Sequence, residues 1–191
     1  MLWSLVLLIA APLLAGLGSL LVSDRRVVEA LQYGQAVILL AAGAHVAAVV
    51  GTDEPITVGL LLYTDALSAW LDLVLAVVGA TGTLYAMGYL DEQFDRGLIS
   101  LRRFRQFFYL FDLFLAAMLI AVNVADIALM WIAIEGSTLA AALLIAFERN
   151  KAALEAGWKF MILGSVGIAL ALFGTIILYY KIGRASCRER V

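Results

Sequence analysis

An all-α, polytopic bundle of transmembrane helices is the fold class this sequence predicts, on three observations. Apolar residues make up 64% of the 191 positions and DEKR only 15%, against roughly half and a quarter in a soluble globular domain. The excess is gathered into runs of about 18 residues or more, the length that crosses a hydrocarbon core. Basic residues occupy alternate connections between those runs, the asymmetry that orients helices in a membrane. Together with a mean hydropathy of +1.01, these features exclude a secreted disulfide scaffold, a nucleic-acid binder and a soluble enzyme. The net charge of −2 is too small to argue for a strongly charged partner. A single cysteine cannot close an internal disulfide. No Cys/His cluster offers ligands to zinc, haem or an iron–sulfur group. No cofactor and no metal are expected.

Six spans are predicted, over residues 2–22, 31–50, 66–90, 107–124, 126–147 and 157–180. Each is long enough at about 1.5 Å per residue to cross a core of about 30 Å. The first is not read as a signal peptide, because no basic residue precedes it and Arg25 and Arg26 follow it. Pro12 is expected to kink it. The closing segment, 182–191, changes character abruptly. It resembles the translation of one reading frame of a sequencing adapter, and is expected not to be native. Setting it aside removes the one cysteine and leaves ten basic residues.

Of those ten, eight lie on one side: Arg25 and Arg26, then Arg96, Arg102, Arg103 and Arg105, then Arg149 and Lys151. The connections at 51–64 and between the fourth and fifth spans carry none. The N-terminus is therefore expected on the non-cytoplasmic side of the cell membrane. Within 51–64, the short β-favouring run 57–63 predicts a small hairpin on the outer face. The mixed-charge stretch 91–106 is expected at the cytoplasmic headgroup level.

Ionisable residues inside a span are costly, by about 2.5–3.5 kcal/mol on insertion scales, and are functional candidates by default. Five positions qualify: His45, Asp72, Asp112, Glu135 and Lys159. Glu135 is the sharpest. It lies nine residues into its span, roughly 13 Å deep. Its helix face also carries Ala128, Trp131, Thr138, Leu139, Ala142 and Ala146. So many small residues let another helix approach closely, which predicts a carboxyl turned into a bundle rather than toward lipid. Such a carboxyl, balanced between desolvation and a nearby cation, can load and release a proton.

The other four are weaker. Lys159 is within about a turn of the cytoplasmic surface and could simply snorkel there. Asp112 could belong to a proton path, but pairing with the nearby arginines is the favoured expectation. Asp72 shares a face with Asp65, Ser68, Ala69, Ala76 and Gly79 and is not easily dismissed. His45, near the outer end of its span, is expected to be interfacial or satisfied. Asp65 and Asp126 read as helix N-caps. No phosphate loop, metal-ligand spacing or nucleophile–base pair is present, so no catalytic centre is expected in this chain.

Several motifs resemble the antiporter-like subunits of respiratory complex I, group 4 membrane-bound hydrogenases and multisubunit Na⁺/H⁺ antiporters. They are Asp65-Ala66-Leu67-Ser68, Leu84-Tyr85-Ala86-Met87-Gly88-Tyr89-Leu90, Met130-Trp131-Ile132-Ala133-Ile134-Glu135, and Leu154-Glu155-Ala156-Gly157-Trp158-Lys159-Phe160. The Ile-Glu pair and the Glu-Ala-Gly-Trp-Lys-Phe string are most similar to hydrogenase-4-type component F. The resemblance implies a fold of about fourteen helices with inverted repeats, of which this chain would be an N-terminal fragment holding six. Residues 1–106 would supply the first three, and 107–181 the opening three of a truncated proton-translocating repeat. Glu135 matches the family's proton-carrying glutamate. Lys159 matches a sixth-helix lysine of less central role. The lysine that the family pairs with its glutamate would lie in the next, missing helix.

The resulting expectation is a proton-translocating subunit of a redox-driven complex of hydrogenase-4 or NADH:quinone oxidoreductase type. Electron transfer would occur on partner membrane subunits, with lipid and protons the other partners and nucleic acid excluded. The rival expectations are a structural assembly subunit without an ion path, a Na⁺/H⁺ antiporter subunit, and, last, a stand-alone solute carrier.

Overall fold

The computed structural model describes residues 2–50, 56–59 and 61–188. Its helices are α1 (Leu2–Leu21), α2 (Arg25–Val50), α3 (Ala66–Asp95), α4 (Leu101–Asn123), α5 (Ile127–Ile145) and α6 (Lys151–Arg188). A short 3-10 turn, Ala146–Glu148, joins the last two. All six helices are long and apolar enough to cross a membrane. α1 runs without interruption through Pro12.

The helices are longer than the apolar runs that announce them. α2 begins at Arg25 rather than 31, α3 continues to Asp95, and α4 starts at Leu101. Hydropathy ends where charge begins, whereas a helix ends where its backbone loses partners. Most of the stretch 91–106 is thus helical, and the true turn is Arg96 to Ser100, with Gly97 at φ +71°. The charges left on these extensions staple the basic face together. Arg25 reaches Asp91 at 3.0 Å, Asp95 at 2.7 Å and Glu29 at 2.6 Å, and its guanidinium lies 4.9 Å from the centroid of Phe94. Beneath it Val28, Met87, Leu90, Phe104 and Phe108 form one buried apolar cluster.

α1 to α4 pack as a four-helix unit in which α2 meets α3, α1 meets both α2 and α4, and α3 meets α4. Its second cluster, Leu5, Leu8, Leu39, Val46, Ala76, Leu115 and Leu119, fills the half away from the arginines. Small residues set the spacing: a Cβ on Gly43 of α2 would lie 2.8 Å from the Cβ of Ala76 of α3. α5 packs on α4, and α6 on α5 and the 3-10 turn. Gly157 is the one buried residue among those of α6 whose side chains are described.

The expected hairpin is present. β1 (Ile56–Val58) pairs antiparallel with β2 (Leu62–Thr64). A bridge from Leu62 to Val124, and the Ala125 N–H donated to the Leu61 carbonyl at 2.9 Å, fasten it to the turn between α4 and α5. Both expected caps are formed. Asp126 accepts from the Ala128 and Leu129 N–H groups at 2.9 and 3.0 Å. Asp65 accepts from the Ser68 N–H at 2.8 Å, and that bond is the main cause holding its carboxyl below the usual aspartate range.

A depressed carboxyl adds stability above its unfolded value, which is lost as pH falls through the folded one. Asp65→Ala should therefore reduce stability at neutral pH by on the order of 1 kcal/mol, and lower the thermal midpoint with it. The gap to the unaltered protein should close as the pH is brought below the aspartate range. A gap independent of pH in a melting series would show that the cap acts through something other than its charge.

Candidate functional site

Glu135 lies mid-helix on α5, half-buried against α6. The stripe expected from its helical face is what α6 packs on. A Cβ on Gly164 would meet Thr138 Cγ2 at 2.8 Å, and one on Gly157 would meet the Ala142 carbonyl oxygen and Ala146 Cβ, each at 3.0 Å. Trp131 donates its indole N–H to the Ile168 carbonyl at 3.3 Å. The residues of α6 that turn inward are correspondingly small or slender: Ala153, Gly157, Gly164, Ser165, Ile168, Leu172 and Thr175. Close backbone approach is how helices associate where no water drives them together.

In that seam the Ser165 hydroxyl donates to Glu135 Oε1 at 2.8 Å, while Glu135 Oε2 is buried without a hydrogen-bond partner. No salt bridge reaches Glu135 among the described residues. The carboxyl is thus held by one arm, with the other turned into protein.

Lys159 is not brought to it. Six residues before Ser165, it lies about 9 Å nearer the basic face, is exposed, and pairs with Glu155 one turn back on its own helix. Its ammonium sits 6.0 Å from the Trp158 ring, as a snorkelling lysine would. His45 is exposed on α2. Neither joins Glu135.

The two aspartates are in a different place: both are fully buried inside the α1–α4 unit. Asp72 Oδ1 accepts from the Asn123 amide at 2.8 Å, and Asn123 Oδ1 accepts from the Thr64 hydroxyl at 2.6 Å. The expectation that Asp112 pairs with arginines does not hold. Its partner is Gln32, whose amide donates to Asp112 Oδ2 at 2.6 Å. The arginines are committed elsewhere: Arg105 donates to the Ser19 carbonyl at 2.7 Å and Arg103 to the Phe147 carbonyl at 2.8 Å. Asp112 lies seven residues past Arg105, about 10 Å further along the axis, beyond that side chain's reach once it bonds Ser19.

Sequence reasoning thus missed Ser165, Gln32, Gln35, Asn123 and Thr64. The signal was available for the two glutamines, which stand three residues apart, hence on one face, within an apolar helix.

The family described as NADH:quinone oxidoreductase/Mrp antiporter, TM, matches residues 124–190, which hold all of α5. That match and the curated relatives together support the antiporter-like membrane subunit family. A hydrogenase-4 component F homolog of Methylacidiphilum infernorum is 36% identical over 121 residues, 63% of this chain and 25% of that protein. An NADH-quinone oxidoreductase subunit L of Mycobacterium tuberculosis is 33% identical over 126 residues, 65% of this chain and 19% of its own length. A subunit N 1 of the same enzyme from Sorangium cellulosum is 30% identical over 161 residues, covering 80% of this chain and 30% of itself. The chain therefore spans about a quarter of the curated relatives it matches.

The packing of α6 on α5 can be tested at two glycines. A Cβ at Gly167 meets nothing within 4 Å, so Gly167→Ala should raise the thermal midpoint through helix propensity alone, worth about 1 kcal/mol. Gly164→Ala gains the same propensity but drives into Thr138, and should lower the midpoint. Equal shifts in a tryptophan-fluorescence melt would mean that the seam is not close-packed.

Proposed function

We propose that this chain is part of a proton-translocating subunit of a redox-driven membrane complex, with Glu135 as the carboxyl that takes up and gives back the proton. The observation that supports this most strongly is the lopsided bonding of Glu135. A structural carboxyl in an apolar seam would have both oxygens answered, because an unsatisfied buried acceptor costs about 1–3 kcal/mol. Here Ser165 fixes one oxygen and leaves the other for a proton or a passing water.

In this reading the proton binds Oε2, neutralising the carboxylate, and leaves again when a basic group nearby becomes charged and favours the ion. That alternation is a shift of population between two states of one buried pair. The basic group is a lysine supplied by spans beyond this chain. Lys159, held by Glu155 near the surface, is the lesser member of the path, handing protons between the basic face and the seam. Electron transfer belongs to partner subunits, hydrogenase-type or NADH-quinone oxidoreductase-type as the relatives' names suggest. With the arginine-bearing face in the cytoplasm and the N-terminus outside, a proton moved across about 100 mV does work worth about 2.3 kcal/mol.

A carboxyl that merely packs α6 is the competing account, and the Ser165 bond is what favours it. Glu135→Gln separates the two, since a glutamine keeps the size and the Ser165 contact but carries no proton. In the full-length subunit within its assembled complex, Glu135→Gln should abolish redox-linked proton movement into vesicles while electron transfer and assembly persist. Undiminished pumping would overturn the proposal.

A further inference from the structure

The α1–α4 unit holds a second concentration of unanswered polar atoms, on helices other than those of the α5–α6 seam that holds Glu135. Asp112 Oδ1, Gln32 Oε1, and both side-chain polar atoms of Gln35 are buried without hydrogen-bond partners. Gln32 and Asp112 are 0% exposed and Gln35 is 2% exposed, and Gln35 faces the same carboxyl as Gln32 from one turn further along α2. Buried polar atoms are almost always satisfied. Even with the Gln35 amide directed at that carboxyl, three buried acceptor oxygens (Asp112 Oδ1, Gln32 Oε1 and Gln35 Oε1) stay without a partner, which marks a place built for an exchangeable occupant. We propose that Asp112, with Gln32 and Gln35, is a second proton-carrying site, separate from Glu135 and reached from the arginine-bearing face of the membrane.

The proton is the occupant that fits with least rearrangement. Delivered by water, it bonds to Asp112 Oδ1 and turns the carboxylate into a carboxylic acid. The new O–H then donates to a glutamine carbonyl oxygen, so that two orphans are answered together. Release returns the proton to water and restores the carboxylate, which Gln32 continues to stabilise through Oδ2. Surrounding charge does not complicate this exchange. α1 carries no ionisable residue, Glu29 of α2 and Asp91 of α3 are held by Arg25, and Arg105 of α4 is bound two turns away. Glu135 of α5, the helix packed on the other side of α4, is bonded to Ser165 of α6.

The route is polar toward one face only. Arg105 donates to the Ser19 carbonyl, and the buried Ser19 hydroxyl donates to the Gly16 carbonyl at 2.7 Å. Gly16 is the residue against which Asp112 rests: a Cβ there would come within 2.9 Å of Asp112 Cβ and 3.5 Å of its Oδ2. A cleft of about 560 Å³, mostly apolar but with Arg103, Gln106 and Tyr109 in its lining, opens beside the same stretch of α4. On the far side Leu39, Ala76, Leu115 and Leu119 form a continuous apolar layer. Asp72, at the level of Asn123, lies beyond it, about 16 Å from Asp112 along α4.

The proposal does not depend on the role of Glu135, and the test keeps the two apart. The full chain is placed in liposomes of known orientation and followed by infrared difference spectroscopy while the pH is stepped on one side. A carboxylic-acid C=O band should follow the pH on the arginine-bearing side and ignore steps on the other. It should be lost in Asp112→Asn and kept in Glu135→Gln. Where Asp112→Asn does not fold, Gln35→Leu should shift the band by removing its hydrogen-bond acceptor. A band equally responsive to both sides, or indifferent to pH, Asp112→Asn or Gln35→Leu, would overturn the assignment.

Discussion

A polar group inside an apolar layer must be answered by another polar group, because no water is at hand to do it. The arrangement of this protein follows from how that demand is met. Backbone groups answer one another within six helices. The charges at the basic ends answer one another around Arg25, at the border where bilayer gives way to water. Thr64, Asn123 and Asp72 form a chain that leaves one aspartate oxygen unanswered. At Glu135 and Asp112 the answer is likewise deliberately partial, and those are the two positions at which proton exchange is proposed.

The same demand explains why glycine and alanine are placed as they are. A carboxyl can be screened from lipid only if two helices close over it, and they can close only where their facing side chains are small. α5 and α6 do this through Thr138, Ala142, Ala146, Gly157 and Gly164. α1 and α4 do it through Gly16, which has no Cβ to strike Asp112. Packing and site are therefore one feature seen twice. A substitution that separates the helices also opens the carboxyl to lipid.

The number of spans, the hairpin, the caps at Asp65 and Asp126, and the face of α5 that seeks a neighbour were all legible in the sequence. Each is written in local pattern: apolar runs, a short β-favouring run, an acid before a helix, small residues at helical spacing. Helix ends were less legible, since charged residues such as Asp91 to Asp95 end an apolar run without ending a helix. The partner of Asp112 was not legible either. Ionisable residues stand out in a span, whereas Gln32 and Gln35 carry no charge, and only the meeting of α2 with α4 reveals that they serve an aspartate. His45 and Lys159 illustrate the converse. Both stand out as ionisable residues, yet the packing leaves both exposed and out of contact with Glu135.

The central claim is that Glu135 changes its protonation state as the complex turns over. A hydrophobic carbodiimide reacts with carboxyls in the acid form within apolar surroundings, so its rate of attachment to Glu135, read by peptide mass spectrometry on the full-length subunit in its complex, reports that state directly. The account expects the rate at Glu135 to change between resting and turning-over membranes, and proton movement to fall in step with the modified fraction. A rate that is the same in both conditions, or complete modification with proton movement intact, would contradict it.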